Sequence, residues 1–481
     1  MTQREARRKG GKSTESELVL VALGGLGEIG MNVYLYGLGP EDDRQWLMVD
    51  LGMTFPDFSV DPGVDVILPD LRFIEEQVKS LVGIVLTHAH EDHIGAVIDL
   101  WPRLKAPIYA TPFTAAMLRA KLTEFSSLMR LPIREVALGS RFNVGPFDLE
   151  LVTVTHSIPE PNGLAIRTPH GLVLHTGDWK LDADPVIGAP ADEAKLASLG
   201  EEGVLAIVCD STNAFREGRS PSEGAVTRSL VEIIKGARHR VAVTTFASNV
   251  ARIRAVADAA RASGRKLVIA GRALHRVIEV AMETGYLPKG FAYYDQNEFK
   301  HIPPDKALAL VTGSQGEHRA AIARIAQGEH PAISFGAGDL VIFSSRTIPG
   351  NEKVVGRVQN ALARLGCEIV TDAEKLVHVT GHPRREELRQ MYAWTKPRIA
   401  VPMHGEMRHL KEHAKLAREA GVPDVFTPIN GEVLRLAPAP RLIDEAPVGR
   451  IYRDGRMLIP AGDGPVKERR KLAEVGVVVV A

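Results

Sequence analysis

Short apolar runs recur along this chain, and most of them stop at a polar residue. Ser16 to Ala22, Met31 to Tyr36, Trp46 to Val49 and Leu81 to Thr87 are alternating or continuous apolar runs of strand length. Ile94 to Trp101 and Pro112 to Glu124 space their apolar residues as helices lying on a sheet do. Leu149 to Thr155, Leu172 to Gly177, Leu205 to Cys209 and Arg398 to Met403 read as further strands. Between the last two the pattern gives strand Val241 to Thr245, helix Val250 to Ser263, strand Lys266 to Ala270 and helix Ala273 to Thr284. Strand Leu308 to Val311, helix Ala320 to Ala326 and strand Asp339 to Phe343 follow. Strands alternating with helices at this spacing predict an α/β protein, with a mostly parallel, doubly wound sheet in that middle stretch.

The punctuation refines this reading. Gly24-Gly25-Leu26-Gly27-Glu28-Ile29-Gly30 contains the glycine spacing of a dinucleotide fold, but β-prone residues follow where that fold needs a helix. A glycine turn between antiparallel strands is expected instead. Ala437-Pro438-Ala439-Pro440 and Ala446-Pro447-Val448-Gly449 read as a linker over 437–455. The polar residues 1–16 read as a flexible tail. The last residues, to Ala481, read as an apolar strand in need of a sheet partner, as if a further domain had only begun.

Composition changes little. Hydrophobic residues make up 45 % and charged residues 25 % of the 481, ordinary values for a globular protein. Lys plus Arg and Asp plus Glu both number 59, so a polyanion must be met by local basic surface and not by net charge. Two cysteines in no motif, no secretory signal and no apolar run of membrane-spanning length point to a cytoplasmic protein with no membrane partner.

The candidate chemistry lies at the strand ends. Leu81 to Thr87 leads into His88-Ala89-His90-Glu91-Asp92-His93, three imidazoles and a carboxylate in one short stretch. Ile94 stands where a helical His-Glu-x-x-His motif would need its second histidine. His156, Asp178, Asp210 and His404 each follow a later strand. His88, His90, Asp92, His93, His156, Asp178 and His404 are too many donors for one catalytic metal but suit two metals sharing a carboxylate, a centre suited to hydrolysing phosphodiesters. Zinc or manganese matches imidazole with carboxylate. Asp50 either supports this centre from behind or caps a turn. His170, His175, His301, His318 and His330 read as surface or core histidines.

If Asp178 and His404 serve one centre, a domain-sized insertion separates them. Thr312 to Glu317, Ser344 to Thr347 and Thr380-Gly381-His382 each come soon after an apolar run, offering N–H groups, hydroxyls and an imidazole to phosphate. Arg252, Arg254, Arg272, Arg276, Arg384 and Arg385 either line a basic groove or are solvated.

Taken together, these motifs resemble the metallo-β-lactamase superfamily, its β-CASP nucleases and, within them, the ribonuclease J family. The His-x-His-x-Asp-His stretch carries the superfamily, and the insertion between Asp178 and His404 carries the β-CASP group. Gly24 to Gly30, Cys209 to Ala214, Phe246 to Asn249, Gly313 to Glu317, Ser344 to Glu352, His378 to His382 and Pro402 to Glu406 carry the narrower family.

The resemblance implies an αββα sandwich (residues 17–213 and 373–436) with a β-CASP domain (214–372) inserted and the start of a C-terminal domain (456–481). It implies two divalent metal ions per chain, one held by His88, His90 and His156, the other by Asp92, His93 and His404, with Asp178 bridging. Asp210 would act as proton donor and His382 as acceptor or phosphate binder. Read from the residues alone, Asp210 is equally a helix cap and His382 a turn residue. Ser248, Asn249, Ser314, Ser345, His378, Val379, Thr380, Gly381 and His382 would contact single-stranded RNA.

The implied activity is 5′-to-3′ exonucleolytic cleavage from 5′-monophosphate ends plus endonucleolytic cleavage in RNA maturation and decay. The implied assembly is a homodimer or homotetramer with RNA-decay partners. A DNA nuclease of the same group and a non-catalytic RNA-binding subunit are the alternatives, the second disfavoured because no metal donor is missing.

Overall fold

A computed structural model describes residues 15–57, 60–125, 129–348, 350–462 and 464–476. Its centre is a pair of facing sheets. The first has eight strands in the order Arg441–Glu445, Glu432–Ala437, Glu17–Gly24, Val33–Gly39, Gln45–Val49, Leu81–Val85, Ile108–Ala110, Ile133–Glu135. The second has seven: Asp424–Val425, Ile399–Met403, Val204–Asp210, Gly171–His175, Asn162–Thr168, Phe147–Thr153, Arg141–Val144.

Both faces of each sheet are covered, and the side-chain period of two sorts the residues between them. Leu18, Leu20 and Ala22 point into the layer between the sheets with Leu149, Leu151, Ile166 and Val208. Their neighbours Val19, Val21 and Leu23 point outward, into a core shared with Val97, Leu100 and Phe113 of the helices Val97–Leu104 and Pro112–Phe125. The second sheet buries its outer face under the helices Glu193–Glu202, Arg385–Thr395 and Met407–Glu419. Helix, sheet, sheet, helix is the expected αββα sandwich.

Glu223 to Val370 builds a second sheet system. Five strands lie wholly parallel in the order Lys266–Ala270, Ala307–Val311, Val241–Thr244, Leu340–Phe343, Glu368–Val370. Val241 and Val243 face one helix layer while Ala242 faces another, so the sheet is doubly wound as the pattern predicts. The insertion leaves and rejoins the sandwich between two paired strands: Val204–Asp210 runs parallel to Ile399–Met403, with Asp210 opposite Met403.

The glycine stretch turns between the antiparallel strands Glu17–Gly24 and Val33–Gly39 as expected, and within it Leu26–Gly27 pairs with Gly405–Glu406, a contact the local sequence does not signal. Two expectations change. Residues 437–455, expected as a linker, carry the strand Arg441–Glu445 on the edge of the large sheet and the strand Arg450–Asp454, which pairs with Val66–Pro69. Proline there marks turns between paired strands, since a strand edge tolerates a missing donor. Residues 465–475 form a helix whose Arg470 pairs with Asp61. The tail 1–14 and the terminal residues 477–481 lie outside the described residues. No helix among the described residues is long and apolar enough to cross a membrane.

Leu434, fully buried on Glu432–Ala437 opposite Leu20, tests whether this late strand belongs to the fold. Leu434→Ala is expected to cost about 2–5 kcal/mol in denaturant unfolding, whereas Leu442→Ala on the exposed neighbouring strand should cost well under 1 kcal/mol.

Candidate metal centre

Strand pairing assembles the donors. Asp210 ends one strand and His404 follows the next, so their register sets the two side by side across the whole insertion. His175 ends the neighbouring strand, with Asp178 three residues on. His88 follows Leu81–Val85 on the facing sheet, and His90 precedes a single helical turn, Glu91–Ile94, that carries Asp92 and His93. Gly52 packs so closely on that turn that a Cβ would stand 1.7 Å from the carbonyl oxygen of Asp92.

Two groups of donors result. His88 Nε2 lies 3.1 Å from His90 Nδ1, which lies 3.0 Å from His156 Nε2. Beside them His93 Nε2 stands 3.2 Å from Asp178 Oδ2, and His404 Nε2 stands 3.1 Å from Asp92 Oδ2. Asp178 Oδ2 also lies 3.9 Å from His88 and 3.8 Å from His156, so it reaches both groups. The seven predicted donors therefore converge. A third grouping joins Asp178 and His404 with Asp210 and His382.

The histidines are aimed by their other nitrogens. His156 Nδ1 lies 2.6 Å from the carbonyl of Gly381, and His93 Nδ1 lies 2.7 Å from Asp50 Oδ2. The Thr87 hydroxyl donates to Asp50 and so accepts from His88 Nδ1; that of Thr212 donates to the His404 carbonyl and accepts from His404 Nδ1. Asp50, left between two readings by its sequence, stands behind the centre as the partner of His93. Thr87, Thr212 and Asn32, whose amide meets His93, carry no sequence signal beyond their nearness to the motifs. His404 and Asp50 both hold left-handed backbone, φ 52° and 62°, a strain of about 1–3 kcal/mol each that clusters at sites.

The donor set fits divalent cations. Burial and the neighbouring imidazoles push His88 and His156 well below the usual histidine range, and burial takes His90 down to about 4, leaving bare lone pairs at neutral pH. Burial opposes a proton on His404 as well, yet Asp178, Asp210 and Asp92 hold it up to about 10. His93 is likewise raised, against burial, by Asp178, Asp92 and Asp50. Asp178 Oδ1 is buried without a hydrogen-bond partner, a costly state for a carboxylate that a cation relieves.

Comparison with known proteins agrees with this geometry. Three family models match in succession: a β-lactamase superfamily domain over residues 58–205, the ribonuclease J β-CASP domain over 238–362, and a Zn-dependent metallo-hydrolase RNA specificity domain over 366–428. A ribonuclease J of Sinorhizobium meliloti is 53 % identical over 97 % of this chain and 83 % of its own length. The chain belongs to the ribonuclease J family. Ribonuclease J of Thermus thermophilus is 38 % identical over 97 % of the chain and 82 % of its own, and ribonuclease J2 of Bacillus subtilis 34 % over 98 % and 84 %. A protein of unknown function from Enterococcus faecalis shares the fold alone, with TM-score 0.58 at 17 % identity over 87 % of this chain and 100 % of that one.

This ribonuclease J family member is a metallo-β-lactamase enzyme with an inserted β-CASP domain: a hydrolytic nuclease that acts on RNA and uses divalent metal.

The other predicted residues divide. Gly381 and His382 reach the centre, His382 Nδ1 standing 2.7 Å from Asp210 Oδ2. A Cβ on Gly381 would meet His156 Nδ1 at 2.5 Å. Thr380 accepts from Asn213, Val379 is buried, and His378 has Nδ1 buried without a partner. Asn249 caps its helix, accepting from the Arg252 N–H, and is buried with Ser314 and Ser345; Ser248 is half-buried. No described contact joins these four to the donors. Of the arginines offered for a basic groove, Arg252 and Arg385 are buried, while Arg254 and Arg276 pair with Asp258 and Glu124. His175 is a core histidine held by Tyr36.

Protons and cations compete unequally at the two groups. Protons on His93 and His404 must leave before a cation binds there, so affinity falls as pH drops below their raised pKa values. Burial keeps His90 neutral down to about 4, and burial with neighbouring imidazoles holds His88 and His156 well below the usual histidine range, so this group resists protonation. If each group holds one cation, stepwise acidification of metal-loaded protein from about pH 8 to about 5.5 should release the ion of the His93 and His404 group first, about half the metal. Elemental analysis after dialysis at each pH is the check, and loss of all metal in one step would contradict it.

Proposed function

We propose that the protein hydrolyses single-stranded RNA with two divalent metal ions, zinc or else manganese. In this reading His88, His90 and His156 hold one ion, Asp92, His93 and His404 hold the other, and Asp178 reaches both. The observation that carries it is the meeting of the centre with the 378–382 run: Gly381 O takes His156 and His382 takes Asp210. The side chains that hold metal and the loop that would hold phosphate are thus locked in one network. A bound divalent cation supplies charge that polarises a phosphodiester and makes water a better nucleophile at neutral pH.

The protein's own residues do the rest. Burial works against the Asp210 anion, but His382 and His404 hold its carboxyl well below the usual range, while Asp210 and Asp178 raise His382 despite its burial. His382 is therefore the proton-bearing member of the pair. With Nδ1 given to Asp210, its Nε2 is free to donate to a phosphoryl oxygen or the leaving oxygen. Thr380 and the half-buried Ser248 offer hydroxyls to the RNA backbone or its 5′-monophosphate, with His378, Asn249, Ser314 and Ser345 shaping that wall.

On this basis the protein is a cytoplasmic 5′-to-3′ exonuclease favouring monophosphorylated ends, with endonuclease activity as well. It works in RNA maturation and decay as a homodimer or homotetramer with decay partners.

Manganese- or zinc-loaded protein should degrade 5′-monophosphorylated single-stranded RNA, and Asp178→Asn or His88→Ala should lower that rate by about 10³-fold or more with the fold intact. Undiminished cleavage by either variant would sink the two-metal mechanism. End-labelled RNA with a 5′-triphosphate should be digested more slowly from that end, because a pocket sized for one phosphate excludes three. Equal initial rates would remove the assigned pocket, and equal cleavage of a matched DNA would remove the RNA preference.

A further inference from the structure

Four charged side chains are buried where the inserted domain meets the sandwich, and the metal centre uses none of them. Lys180 and Arg252 are 0 %, Glu223 2 % and Asp182 4 % exposed. Lys180 Nζ lies 2.8 Å from Asp182 Oδ2 and 3.9 Å from Glu223 Oε1. Arg252 Nη2 lies 2.7 Å from Glu223 Oε2, and the Glu223 N–H donates to Asp182 Oδ2 at 2.9 Å. Lys180 and Asp182 belong to the segment that leaves Asp178. Glu223 and Arg252 belong to the helices Glu223–Gly236 and Val250–Ala262 of the insertion.

The chain of charges continues to the phosphate side. Arg252 Nη1 donates to the carbonyl of Val377 at 2.5 Å and contacts the Ser344 hydroxyl, which itself donates to Val377 O at 2.6 Å. Val377 opens the run that ends at Gly381, whose carbonyl takes His156, and His382, which pairs with Asp210 and lies 3.9 Å from Asp178. One guanidinium therefore holds the base of that run while anchored, through Glu223 and Lys180, to the segment carrying Asp178.

Buried ion pairs contribute little net stability compared with apolar side chains of the same shape, because desolvation offsets their attraction. What they do supply is fixed direction. Arginine can bond Glu223 and Val377 O at once through two nitrogens of a rigid plane, whereas a lysine ammonium at the same position reaches one or the other. We propose that Lys180, Asp182, Glu223 and Arg252 form a positioning strut that fixes the Val377 to His382 run at its working distance from the metal donors, with Arg252 as its positioning residue. The kinetic consequence rests on the reading of that run as the RNA-end contact; the mechanical one does not.

The test uses the full-length, metal-loaded protein, the variant Arg252→Lys and the double variant Glu223→Leu/Arg252→Met. The double variant removes both charges together, so that no carboxylate is left unpaired, and Lys180 keeps Asp182. Amide hydrogen exchange over 376–384 should rise about tenfold in the double variant and by less in Arg252→Lys, with 86–94 and metal content unchanged. For 5′-monophosphorylated RNA, kcat/KM should fall by about tenfold or more, because the end contacts and the His382 proton donor both lie on that run.

Wild-type exchange over 376–384 in both variants would overturn the strut. So would a general rise in exchange accompanied by metal loss, which marks a purely structural role. Should the double variant fail to fold, Arg252→Lys decides by the same measurements. If wild-type protein does not cleave RNA, the proposed function fails while the exchange measurement still judges the strut.

Discussion

The structure depends on one strand pairing. Val204–Asp210 and Ile399–Met403 lie side by side in parallel, although the whole inserted domain separates them in the chain. Parallel strands need a crossover, and here the crossover is a domain with its own five-stranded sheet. The pairing sets Asp210 opposite Met403, so His404 arrives beside Asp210 and Asp178. It also fixes where the insertion must return, and hence where the Val377 to His382 run meets His156. A slip of one residue would reverse every side chain on the returning strand and take His404 out of the centre.

Around that pairing the site is built by opposed electrostatic environments. One group of histidines sits in apolar surroundings against other imidazoles and stays neutral. The other sits among carboxylates and holds protons tightly. Asp178 touches both, and its carboxyl is kept well below the usual range, against burial, chiefly by His404 and His93. Such a division gives the two groups of donors different affinities for cations within one cleft. It also explains why the supporting residues matter: Asp50, Thr87, Thr212 and Gly381 decide which nitrogen of each ring faces the centre.

Much of this was legible in the sequence because it is local. Apolar runs marked the central strands of both sheets but not the short or edge strands such as Ile108–Ala110, Arg141–Val144 and Arg441–Glu445, and the helices and strands predicted in the insertion fall within a residue or two of their observed ends. The donors were visible because His88 to His93 crowd together and because His156, Asp178, Asp210 and His404 repeat one placement after a strand. The C-terminal stretch was misread because proline-rich punctuation looks alike in a linker and between edge strands. Arg252 was misread because a charged residue on a helix gives no local sign of whether a second domain will cover it.

The sequence by itself therefore determined the α/β class, the candidate donors and the family, since each rests on residue identity and short-range periodicity. Tertiary structure alone decided which donors share a centre, that Asp50 stands behind His93, that Gly381 and His382 close on the metal donors while Asn249 turns to its own helix cap, and that four charges are sealed at the domain junction. Those outcomes depend on contacts between residues far apart in the chain, where strand register and domain packing set distance and burial, and no local pattern encodes either.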